Sequence, residues 1–152
     1  MITVTTRGTE KLGRLAAAIR QAGDRDLQKE LAKGLRRAIR PMQKEFRRGA
    51  LGFLPYRGGL AEEVSASMRF SSKVSLGRNP SVRIIASLPG HDLAAMERGR
   101  LRHPVHGNRK NWVRQNIRPN WFSDTGTLAA QDAYDELEKA MDELARKLEA
   151  RV

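Results

Sequence analysis

The chain contains no cysteine. That absence excludes a disulfide framework, a thiol nucleophile and every zinc site that relies on thiolate ligands. It does not reveal a redox compartment. Aromatic residues are scarce, 5% against 39% hydrophobic residues in all, so a core must be built from Leu, Ala, Ile and Val, and an aromatic-lined substrate pocket is disfavoured. No apolar run approaches the ~20 residues a bilayer-spanning helix needs, and Met1 to Arg7 lacks the apolar stretch of a secretory signal. The expectation is a soluble protein made in a cytoplasm, with no membrane partner. Motifs of catalysis are missing as well: there is no G-x-S-x-G elbow, and Gly58 and Gly59 fit neither the G-x-G-x-x-G nor the Walker spacing. Neither enzyme activity nor a cofactor is expected.

Positive charge is abundant. The 152 residues, enough for one domain with a real core, hold 29 Lys+Arg against 17 Asp+Glu, a formal net charge of +12. Arg supplies 21 of the 29, a skew that GC-rich coding produces as readily as selection for Arg chemistry. The charge is also polarised along the chain. Residues 1 to 60 carry +9, residues 61 to 123 carry +7, and residues 124 to 152 carry −4. A basic body with an acidic end suits a subunit whose tail meets its neighbour's body, because complementary patches steer association. It suits equally an acidic helix packed on the basic helices of its own chain.

Periodicity divides the chain into elements. Ile2 and Val4 alternate with Thr3 and Thr5 in a short strand that Gly8 ends. Thr9 then caps a short helix with Leu12, Leu15, Ala16 and Ile19 on one stripe and Gly23 as its stop. Asp24 caps a longer helix in which Leu27, Leu31, Leu35, Ala38, Ile39, Met42 and Phe46 recur every three or four residues. Lys29, Lys33, Arg36, Arg37, Arg40, Lys44, Arg47 and Arg48 cover its other faces. Pro41 predicts a kink, with the helix continuing to about Gly49. Leu51 to Gly59 reads as an extended loop and Leu60 to Ser65 as one helical turn. A hairpin follows near 67–88, with Met68, Phe70, Val74 and Leu76 on one side, turning at Gly77 to Ser81. His91 to Arg98 reads as a short helix. Arg100 to Phe122, with weak periodicity, reads as an ordered loop with little regular structure. Asp124 or Thr125 caps the last helix, whose apolar stripe is Leu128, Leu137, Met141, Leu144 and Leu148. The predicted fold is one α+β domain over 1–152: two N-terminal helices and a long C-terminal helix on a small antiparallel sheet.

Two chemistries can be tried on the basic segment. His103 and His106, with His91 upstream, invite a metal reading, but a compact site needs further ligands and only Asp92 and Glu97 are local carboxylates, so no metal is expected. Arg98, Arg100, Arg102, Arg109, Lys110, Arg114 and Arg118 interleave with Trp112 and Trp121, and cations with exposed Trp can hold phosphates and stack on bases. No helix-turn-helix, zinc-finger or ribonucleoprotein signature accompanies them. A basic nucleic-acid-binding protein therefore stands as the alternative reading.

The order of strand, two helices, a P-x-x-G-G-L segment (Pro55, Gly58, Gly59, Leu60), hairpin, and an A-A-M-E-R-G segment (Ala94 to Gly99) resembles a family of small tail-component proteins of long-tailed bacteriophages. These are minor tail, tail-completion or head-to-tail connector proteins. The family often has P-x-x-T-G-x-L before its hairpin and Y-A-x-x-x-E-x-G after it; here Gly58 stands in place of the Thr and Leu93 near the usual aromatic. The runs RHPVHGNRKNW and RPNWF look like an actinobacterial branch. The resemblance implies a structural virion protein, located at the neck or head-proximal tail end. It would form a homo-oligomeric ring that joins a DNA-filled head to a tail. Its partners would be itself and other neck and tail proteins, with non-specific contact to transiting DNA as a secondary use of the charge. No catalytic residues are associated with the family. The expected interface residues lie in the two loops: Phe53, Tyr56, Arg100, Arg102, Arg109, Trp112, Arg114, Trp121 and Phe122, with the Trp residues and Phe122 as anchors.

Overall fold

Local chemistry starts the first two helices. In the computed structural model, which describes residues 1–7 and 9–151, Thr9 Oγ1 accepts from the Leu12 amide at 3.3 Å and opens α1 (Glu10–Gln21). Asp24 Oδ1 accepts from Asp26 and Leu27 at 3.1 and 2.9 Å and opens α2 (Arg25–Phe53). Gly23, at φ +67°, makes the left-handed turn between them. Before α1 comes β1 (Ile2–Arg7). Gly8, expected to end that strand, lies outside the described residues.

α2 outruns its expected end. Gly49 does not stop it, because Gly49 is a buried point of close approach: a Cβ there would strike Thr125 Oγ1 and lie 2.8 Å from Thr125 Cγ2. The helix passes Pro41 and ends where Pro55 forces Leu54 into extended backbone (φ −89°, ψ 154°). The expected loop over 51–59 thus shrinks to Leu54–Gly59, and the expected single turn is the eight-residue α3 (Leu60–Ser67). Arg47 closes α3 by donating to the carbonyls of Ser65, Ala66 and Met68, the last at 2.7 Å, while its guanidinium sits 5.3 Å from the Phe70 ring.

β2 (Arg69–Ser75) and β3 (Ser81–Ser87) form the expected hairpin, and β1 pairs antiparallel on the other side of β3, giving the order β1-β3-β2. Val82, Ile84 and Ala86 face the helices, and Val4 and Phe70 stand beside them in register. α4 (Leu93–Glu97) is capped by Asp92. α5 (Trp121–Arg151) runs antiparallel along α2: Thr125 meets Gly49, Ala140 meets Gly34, and Lys147 and Arg151 reach Glu30 and Asp24. α1 packs against both. Among the described residues no helix is long and apolar enough to cross a membrane.

The scarce aromatics are concentrated. Phe46 stacks on Phe122 with centroids 4.0 Å apart and an interplanar angle of 9°, Phe70 lies 6.0 Å beyond Phe46, and Trp121 meets Phe122 edge-on at 5.5 Å. Four of the chain's eight aromatics therefore join β2, α2 and α5 in one column, each pair worth about 0.5–1.5 kcal/mol beyond its buried area.

The region 100–122 corrects the expectation of an irregular loop. It is a β-hairpin, β4 (Arg100–Val105) and β5 (Asn108–Asn116), joined through residues 117–120 to the first turn of α5. His106 (φ 47°) and Gly107 (φ 75°) both have positive φ, the two-residue turn that matches strand twist. α5 starts at Trp121, ahead of the expected caps. Asp124 pairs with Arg118 at 3.6 Å, and Thr125 Oγ1 donates back to the Trp121 carbonyl at 2.6 Å.

Candidate functional site

The β4–β5 hairpin is an arm whose attachment to the body is narrow. Leu101 is buried in the core, α4 packs against β4, and every residue of β5 is exposed. Its root is a compact junction. Gly99, at φ +80°, accepts the Ile117 amide at 2.9 Å, and a Cβ on it would lie 2.9 Å from the Ile117 carbonyl. Beside it the Glu97 carboxylate accepts from the amides of Phe122 and Ser123 at 2.9 and 3.1 Å and from the Ser123 hydroxyl. Glu97 thus caps α5 from another helix, placing a negative charge where the helix end exposes unpaired N–H groups. Arg118 completes the root, its guanidinium 4.2 Å from the Phe53 ring.

Register sorts the arm's side chains onto two faces. Arg100 opposes Asn116, Arg102 opposes Arg114, and Pro104 opposes Trp112, so one face carries Arg100, Arg102, Arg114 and Trp112; the register then shifts, Val105 opposing Asn108 and residues 109–111 bulging between. The other face carries Leu101, His103, Val113 and Gln115. Trp112 is held in place: its indole N–H donates to the Arg109 carbonyl at 2.7 Å, and the Arg102 guanidinium stands 5.0 Å from its ring. It is nevertheless 46% exposed. No carboxylate occurs between Glu97 and Asp124. Among the described residues Arg100, Arg102, Arg109, Lys110 and Arg114 make no ion pair, and Arg102 faces Arg114 directly across the ribbon, a like-charge pairing that costs stability.

The expected interface set divides accordingly. Arg100, Arg102, Arg114 and Trp112 come together on one face, with Arg109 beside the turn. Tyr56 is 62% exposed, in the loop Leu54–Gly59, and Phe53 is half-buried under Arg118. Trp121 and Phe122 are not surface anchors. Both are fully buried in the aromatic column, because α5 begins at Trp121 and turns these two rings inward. His103 Nδ1 lies 3.1 Å from the Pro104 carbonyl, His91 Nε2 lies 3.0 Å from Glu63 Oε1, and the described residues hold no cluster of three side chains able to ligate a metal.

The acidic end of the chain is partly neutralised within the molecule. Lys11 pairs with Asp142 at 2.8 Å and with Glu138 at 3.7 Å, and Lys147 meets Glu30 and Glu143. The hydrogen bond to Asp142 raises the Lys11 pKa, and that to Glu30 raises the Lys147 pKa. The Leu27 amide, followed by Arg151, holds the Asp24 carboxyl below its ordinary range. The reading in which the acidic helix packs on its own basic helices therefore accounts for these residues. Other parts of α5 were misjudged from sequence. Leu128 does not belong to the buried stripe, which runs Ala129, Ala133, Leu137, Met141, Leu144 in steps of three and four; the small Ala residues of that stripe were the overlooked signal. No family model, no curated protein and no solved structure matches this chain.

Proposed function

We propose that the chain is a structural subunit of a homo-oligomeric ring in the neck of a long-tailed phage, joining the filled head to the tail, with no enzymatic role. The sequence resemblance supplies the setting. The observation that carries the reading is the arm: a two-stranded ribbon whose β5 is exposed along its whole length, with unpaired edges and uncompensated cations. A two-stranded hairpin is marginal in water by itself, so such an arm suits a chain that completes its surface in an assembly. Non-enzymatic work by complementary surfaces needs only such patches.

Sedimentation velocity and native mass spectrometry of the full chain should give one discrete closed oligomer, and mass spectrometry of purified virions should find the chain at fixed stoichiometry. A protein that stays monomeric and is missing from particles would count against a neck ring. The second reading, a nucleic-acid-binding protein, draws on Trp112, half-exposed beside Arg102 and Arg114. It expects the monomer to bind duplex DNA with an affinity that falls steeply as salt rises.

A further inference from the structure

The arm has a chemical counterpart on the same molecule. Leu128 is 73% exposed on α5, a large apolar side chain facing outward. Asp132 and Asp135 follow at i+4 and i+7, on the same side of the helix, and both are exposed. Neither makes an ion pair among the described residues, whereas Glu138 and Asp142 are engaged by Lys11, Glu136 by Lys139, and Glu143 by Lys147. One surface is thus an aromatic ring flanked by cations without ion pairs, and the other an aliphatic knob flanked by two carboxylates without ion pairs, Asp135 standing within the field of Lys139 one turn on.

We propose that the arm of one copy seats on the outer face of α5 of a second copy, with Trp112 against Leu128 and Arg102 and Arg114 against Asp132 and Asp135. This rests on the ring reading above and deepens it by naming the contact. Four physical points select a second copy as occupant. The two surfaces are unlike each other, so each copy offers one arm and one receiving face, the pairing that head-to-tail contacts use to close into rings. The charges are complementary, and the carboxylates would relieve the Arg102–Arg114 opposition on the ribbon. At ~3.3 Å per residue the six residues of β4 carry the turn about 20 Å from the root at Gly99. Trp112 is already fixed by Arg109 and Arg102, so binding orders little that was free, and Trp and Arg are the residues that dominate interface energy.

The test is a charge exchange read by sedimentation velocity. Arg102→Glu with Arg114→Glu, and separately Asp132→Arg with Asp135→Arg, should each raise the concentration needed for assembly about 10-fold or more. Mixing the two variants, or combining all four changes in one chain, should restore it, because each mixture again sets unlike charges face to face. The milder pairs Arg102→Gln with Arg114→Gln and Asp132→Asn with Asp135→Asn, with circular dichroism to verify folding, weaken assembly in the same direction. Because the chain has no cysteine, Lys110→Cys with Gln131→Cys plus a short bis-maleimide should give a ladder of covalent oligomers. Wild type that assembles, with variants that assemble equally well and no ladder, overturns this contact and leaves the ring standing. Wild type that is monomeric at every concentration overturns the ring reading and the contact together.

Discussion

Gly49 and Gly13 are both glycines inside helices, yet they should respond oppositely to the same change. A Cβ at Gly49 meets Thr125 on the facing helix, whereas one at Gly13 meets nothing within 4 Å. Gly49→Ala should therefore cost about 1–3 kcal/mol of overpacking, and Gly13→Ala should stabilise by about 0.5–1 kcal/mol through its better helix propensity, both read as shifts in the urea midpoint. Glu97 shows the same dependence on a distant partner. In sequence it is one acidic residue in a short amphipathic turn, but in space it receives the first amides of α5. Trp121 is less well served, since its buried indole N–H has no acceptor among the described residues. Removing a buried donor that has no partner offsets part of the volume lost, so Trp121→Phe should be much milder than Trp121→Ala, for which about 3–5 kcal/mol is expected.

Among the elements, the β4–β5 arm is where strand structure is least evident in the sequence. A strand with one buried face announces itself by alternation, but a ribbon wet on both faces has no such constraint, and NRKNWVRQN shows none. The informative signal was the turn, His106-Gly107, a two-residue hairpin loop written without the usual Asn or Asp. His106→Asn should leave the arm intact. His106→Val, which places a β-branched residue in the left-handed region, should cost the hairpin roughly 1–2 kcal/mol. The measurement is amide hydrogen exchange: faster exchange at the cross-strand bonded amides of β5 with an unchanged global unfolding midpoint, because the arm buries little beyond Leu101. α5 teaches a related lesson. The first half of its core stripe is small, Gly126, Ala129 and Ala133, where Gly126 lies against Phe46 and α2 approaches through Gly49, while Leu128 is left on the surface.

For the molecule as a whole, three exposed ion pairs tie the ends of α5 and α1 to their neighbours, and their titration sets a pH window. Asp24 has a depressed pKa, so its contribution is present above the unfolded value near ~3.9 and is lost as pH falls through the lower folded value. Lys11 and Lys147 have raised pKa values, so theirs is complete below about 10.4 and disappears as pH rises through the higher folded values. Stability measured by urea unfolding should be flat in between and fall at both extremes, and Asp24→Asn should remove part of the acid limb. The net charge of +12 acquires a location at this scale: α5 neutralises part of the basic body internally, and the arm keeps its cations uncompensated.

The residues alone determined the α+β class, the helix caps at Thr9 and Asp24, the buried stripe of α2 and the β2–β3 hairpin. Each of those depends on periodicity or on a partner three residues away. They also singled out Arg102, Arg114 and Trp112, because composition alone makes a basic segment with tryptophan conspicuous. Only the tertiary structure decided which face those side chains share, that Trp121 and Phe122 belong to the core, that Gly49 is a contact rather than a stop, and that Leu128 is left outside. All four turn on which surface lies opposite: the strand partner in the arm, and for Gly49 and Phe122 a helix brought in from more than seventy residues away, which leaves no local pattern in the segment it covers.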